Sequence, residues 1–118
     1  MKVVINKDFG GFGLSDAAFE KLLERKGVAY EKSEEERFGM SHYYVAGHVG
    51  EDEHYLSPYD YYENRADADL IAVVEEMGEA AHGRFSSLKV IEIPDDIEWH
   101  VHEYDGLEHI AENHRTWH

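Results

Sequence analysis

Glycines, histidines and arginines are the residues of this chain whose types and spacing could do chemistry. Gly10-Gly11-Phe12-Gly13 follows a short apolar run and precedes Ser15-Asp16, a helix-opening pair. A glycine-rich turn in that position can hold an anion with its backbone N–H groups and the helix dipole. The spacing is neither the dinucleotide fingerprint nor the phosphate loop, which needs a Lys-Ser/Thr pair absent here. Phe9 and Phe12 flank the loop, and an aromatic there can stack on a base. A competing reading is structural: the glycines form a tight turn and the two phenylalanines plug a core.

Nine histidines are present, five of them from His100 onward: His100, His102, His109, His114 and His118. His-x-His on a strand puts two imidazoles on one face, a metal-binding geometry, and a turn at Asp105-Gly106 would bring His109 near them. Nothing in the sequence fixes a third ligand, and the same alternation describes an exposed polar stripe. No hydrolytic triad assembles, because Ser15 reads as a helix cap and Ser86-Ser87 as a loop. Arginine is scarce: Arg25, Arg37, Arg65, Arg84 and Arg115. Arg115 sits in His114-Arg115-Thr116-Trp117, where a guanidinium fork and an indole suit a phosphate or carboxylate. An ion pair tying down the end of the chain explains it equally well.

The elements that must position these groups follow from periodicity. Lys2–Asn6 reads as a buried, β-branched strand. Ser15 caps a helix running to about Lys26, with Ala18, Phe19, Leu22 and Leu23 as its apolar stripe and Gly27 as its stop. Two short strands are expected near Val28–Glu31 and Ser41–Ala46, then a long loop over 47–64, where Ser57-Pro58 breaks regular structure. Asp67 caps a second helix whose Leu70, Val74, Met77 and Ala81 share one face, ending by Gly83. Leu88–Ile93 is a strand stopped by Pro94. Glu98–Tyr104 alternates as a strand, with Trp99 and Val101 on one face and His100 and His102 on the other. Asp105-Gly106 is a hairpin turn, and Leu107–Asn113 is read as the return strand in preference to a short helix. The expectation is one α+β domain over 1–118, with two helices and a mixed or antiparallel sheet.

With 118 residues the chain has room for one core, and it has no cysteine, which excludes disulfides and thiolate chemistry. No apolar run is long enough to span a membrane, and the start is too short in apolar residues for a secretory signal, so a cytoplasmic protein is expected. Asp and Glu number 26 against 11 Lys and Arg, a net charge of −15. That field repels a phosphate backbone, so nucleic acid is not an expected partner. The acids are scattered rather than blocked into a tail, which fits a solvated surface. Blocking a basic host factor by charge mimicry is an alternative, and a histidine-dependent metalloenzyme is a second.

Together the ordered segments Lys2–Asn6 with Gly10–Ser15, Arg65–Gly78, Leu88–Trp99, and Tyr104-Asp105-Gly106 followed by His114–Trp117 resemble small proteins encoded in many phages. Asp8 stands where those proteins carry a cysteine, and Ala68 where many carry a proline. Through that family the chain is similar to phage anti-Thoeris sponge proteins. The resemblance implies a non-catalytic homo-oligomer, without cofactor or metal, that sequesters a small nucleotide-derived signal of the cyclic ADP-ribose type. In a site of that kind Phe85 would stack the base and Arg65 and Arg115 would hold the pyrophosphate. Asp95 and Asp105 would take ribose hydroxyls, with Gly11 and Phe12 as further ligand-binding residues.

Overall fold

A computed structural model describes residues 1–33 and 41–113. Strand β1 (Lys2–Asn6) leads into helix α1 (Asp16–Arg25), then β2 (Tyr30–Lys32), β3 (Tyr43–Val45) and β4 (Tyr55–Leu56). Helix α2 (Ala68–Met77) follows, then β5 (Leu88–Glu92) and the hairpin β6 (Trp99–Tyr104) and β7 (Leu107–Glu112). The strands form three small antiparallel sheets, β1-β5, β2-β3-β4 and β6-β7, so the domain is α+β with two helices.

Both helices start where the capping residues stand. Ser15 Oγ accepts from the Ala18 N–H at 3.1 Å, and an Asp67 carboxylate oxygen accepts from the Leu70 N–H at 2.9 Å. Each bond satisfies one of the N–H groups that a helix start leaves without a partner. Past α2, Gly78 takes φ 56° and the chain tightens into a 3-10 turn over Gly78–Ala81, so the expected single helix to Gly83 is broken at its glycine. The apolar stripes then meet: Ala18, Phe19, Leu22 and Leu23 of α1 pack with Leu70, Val73 and Val74 of α2, against Val4, Tyr43 and Leu88. Burying a leucine of this kind contributes about 1.5–3 kcal/mol.

The expected loop over 47–64 is more structured than its sequence suggests. Tyr55 and Leu56 pair with Tyr44 and Tyr43 to add β4 to the sheet, and 3-10 turns cover Asp52–His54 and Pro58–Tyr61. Two residues are too few to show a period of two, so β4 is invisible to pattern reading. In the hairpin, Asp105 at φ 49° and Gly106 at φ 88° make the two-residue turn expected of Asp-Gly. The return segment is a strand, and His102 lies directly across from His109.

β1 is buried on both faces. Val4 belongs to the helix-side cluster, so the alternation points Val3 and Ile5 the other way, and β7 packs beside β1. One edge of β1 pairs with β5. On its other edge Arg65, through its carbonyl and its side chain, and the Glu108 side chain stand where another strand would. The Val4 N–H donates to the Arg65 carbonyl at 2.9 Å, the Val4 carbonyl accepts from Arg65 Nη1 at 3.3 Å, and the Asn6 N–H donates to Glu108 Oε1 at 2.8 Å.

Candidate functional site

Arg65 and Glu108 form the most buried polar contact described. Nη1 donates to Oε1 at 2.6 Å and Nη2 to Oε2 at 2.8 Å, with side chains 1% and 0% exposed. Nε donates to the Tyr62 carbonyl at 2.7 Å, and the Arg65 Cζ lies 3.9 Å from the centre of the Phe12 ring. This overturns the expectation for Arg65. Its fork is filled by a carboxylate of its own chain and closed off from solvent, so it cannot grip a pyrophosphate. What it does is hold Phe12 by a cation–π contact from the interior side.

The glycine loop is set from beneath by the hairpin tip. The Gly10 N–H donates to the Asp105 carbonyl at 3.1 Å, and Asn6 Nδ2 donates to the carbonyls of Gly106 and Asp8, both at 2.7 Å. A Cβ on Gly106 would stand 2.2 Å from the Gly11 nitrogen, so only glycine fits. From the other side Phe85 comes close: a Cβ on Gly10 would meet the Phe85 Cβ at 2.7 Å. The close approaches of Gly10 and Gly106 are therefore structural needs. The Gly10 N–H is spent inside the protein and is not part of an anion cradle.

Above this floor lies an open cleft of about 590 Å³. Gly10–Asp16 form one wall and His82–Phe85 another, with Ser41, Tyr43, Pro58 and Tyr59 opposite. Phe85 and Tyr59 are 64% and 66% exposed, a large apolar display for so acidic a molecule. Arg84 is exposed, lies 5.4 Å from the Phe85 ring centre, and makes no ion pair among the described residues. Arg25 and Arg65, by contrast, face Asp69 and Glu108. At an exposed position on the lining, the Ser41 hydroxyl donates to an Asp16 carboxylate oxygen at 2.7 Å. Burial, followed by its bond to Glu20 at 2.8 Å, drives the Tyr43 phenol far above its usual range, so it remains a neutral donor. Two other hollows, beside Lys2 and α2 and along Tyr59–Asn64, present no unpaired cation.

Of the expected ligand residues, the fold brings Gly11, Phe12 and Phe85 together at the cleft. Asp95 does not join them. It pairs with the Met1 ammonium at the opposite end of β1 from the glycine loop. Asp105 offers its carbonyl to the loop, and the residue does not line the cleft. Arg115 lies outside the described residues, as do His114 and His118. Sequence reasoning passed over Arg84, Tyr59, Asp16 and Ser41. Arg84 carried a usable signal, an arginine next to an aromatic in a loop opened by Gly83.

Four of the described histidines form two pairs. The His102 and His109 rings are 4.8 Å apart across the hairpin, and His48 and His54 stack at 3.8 Å with His48 Nδ1 on Glu51. Among the described residues no group of three or more His, Asp or Glu side chains is arranged to hold a metal ion. No helix described is long and apolar enough to cross a membrane. In comparisons with known proteins, no family model, curated protein or solved structure matches the chain.

Proposed function

We propose that the protein binds a small nucleotide-derived ligand in this cleft and holds it without turnover. One observation carries the reading. In a chain of net charge −15, the one arginine among the described residues that faces no carboxylate stands over an exposed phenylalanine at the mouth of a cleft. Phe85 supplies a stacking face for a base, with Tyr59 and Phe12 as further rings, and Arg84 supplies a fork for phosphate oxygens. The global charge does not forbid an anion there, because charges farther than about 10 Å are screened at moderate salt. Sequestration of a cyclic ADP-ribose type of signal, which the resemblance to phage sponge proteins implies, is the form this reading takes.

Titration calorimetry with ADP-ribose, cyclic ADP-ribose and adenine nucleotides tests it. At least one should bind, Arg84→Ala should weaken it about tenfold or more, and heat-released ligand should be intact by mass spectrometry. Absence of heat with all of them removes the reading. Recovery of cleaved nucleotide would make the protein an enzyme instead.

A further inference from the structure

The hydrogen-bond parity of the β1-β5 sheet leaves one strand edge unused. Lys7 N–H donates to the Ser87 carbonyl and Ile93 N–H to the Met1 carbonyl, both at 2.8 Å. In an antiparallel ladder bonded pairs alternate with non-bonded ones. With the register Lys2↔Glu92 to Asn6↔Leu88, the bonded pairs are therefore Val3↔Ile91 and Ile5↔Lys89. Leu88, Val90 and Glu92 point their N–H and C=O groups away from β1. On β1 the equivalent outward groups of Val4 and Asn6 are met by Arg65 and Glu108. The outward groups of β5 meet nothing among the described residues.

We propose that β5 pairs along this edge with β5 of a second copy, joining two β1-β5 sheets into one four-stranded antiparallel sheet. The strand is self-complementary about Val90. Two-fold pairing sets Val90 opposite Val90, Leu88 opposite Glu92, and the Lys89 stem beside half-buried Ile91 of the other copy. Its five residues carry one lysine and one glutamate, so the edge is neutral in a molecule that is otherwise strongly acidic. Other edges suit a second copy less well. β2 and β4 have three and two residues, β7 lies beside β1, and β6 carries Glu103 and follows Glu98. An unpaired, half-apolar edge is a template for strand addition. This inference does not depend on the cleft or on its ligand.

Sedimentation and amide hydrogen exchange on the whole chain test it together. A dimer should form as concentration rises, and it should tighten with added salt, because screening relieves repulsion between two copies of charge −15. The Val90 and Glu92 amides should gain protection with concentration, while the Lys89 and Ile91 amides are protected throughout. Val90→Pro removes an outward N–H without touching the bonds to β1, and proline is tolerated on such an edge. It should weaken association about tenfold or more. A chain monomeric at every concentration overturns the proposal. So does a dimer in which the outward amides stay unprotected, which would place the interface elsewhere, and this exchange result stands even if the proline variant folds poorly.

Discussion

Phe12 separates two regions that each contain an arginine beside an aromatic ring. On the interior side Arg65 lies 3.9 Å from the Phe12 ring, closed off by Glu108 and two backbone carbonyls. On the cleft side Arg84 lies 5.4 Å from the Phe85 ring, exposed and without a carboxylate. The same pair of residue types thus does opposite work. Where a carboxylate fills the fork, arginine is a rivet joining α2, β1 and the hairpin. Where none does, it remains available to a ligand. Scarcity of arginine in an acidic chain marks both, and only the partner distinguishes them.

The largest effect expected from breaking this comparison is at the rivet. Arg65→Met leaves the Glu108 carboxylate buried and unpaired, which costs about 3–5 kcal/mol. In a domain of this size that lowers Tm by more than about 10 °C. Arg84→Met should change stability by no more than about 0.5 kcal/mol, because its side chain is exposed and unbonded. Adding Glu108→Leu to Arg65→Met should recover part of the loss, since no buried charge then remains. Urea or thermal denaturation of the four proteins checks this. Equal losses for the two single arginine variants would erase the distinction drawn between them.

A smaller effect should come from the hairpin tip that sets the floor between the two regions. Gly106 and Gly50 have almost the same φ, 88° and 87°, but a Cβ would strike the Gly11 nitrogen at 2.2 Å in one and nothing within 4 Å in the other. Gly50→Ala should cost about 1 kcal/mol, the penalty of the left-handed conformation alone. Gly106→Ala should cost about 2–3 kcal/mol, because the tip must also lift from the loop. Comparing their urea midpoints isolates the contact. Equal costs would mean that the tip is not seated on the loop.

How much of this was legible in the sequence depends on how local each cause is. The caps Ser15 and Asp67, the stripe on each helix, the strand before the glycine loop and the Asp-Gly turn are local signals, and each was readable. So was the sharing of one hairpin face by His100 and His102. Glu108 was not. Leu107-Glu108-His109-Ile110 reads as ordinary alternation, and its glutamate is buried because Arg65, 43 residues earlier, meets it. The same distance in sequence misassigned Arg65 to a ligand. Of the residues that line the cleft, Gly11 and Phe12 were read from the glycine loop, and Phe85 came through the resemblance. Their meeting rests on the approach of Phe85 to Gly10, seventy-five residues apart in number, which no pattern reports.

A third cation stands between the two extremes and gives the finest test. Lys26 Nζ donates to Asp67 at 2.9 Å and to Asp69 at 3.2 Å, with the Lys26 and Asp67 side chains 26% and 23% exposed. Burial pushes the Asp67 carboxyl upward, but the Lys26 ammonium and the Leu70 N–H outweigh it and hold the carboxyl below its usual range. A carboxyl lowered by folding stabilises the native state above its unfolded pKa, near 3.9, and loses that contribution as pH falls through its folded value. Asparagine can keep the cap bond but cannot titrate. Asp67→Asn should therefore cost about 0.5–1 kcal/mol at neutral pH and converge with the parent protein as pH falls to about 2. Urea midpoints taken across that range measure the convergence. A constant gap at every pH would show that folding does not hold the Asp67 carboxyl below its usual range and that Lys26, like Arg84, is free in solution.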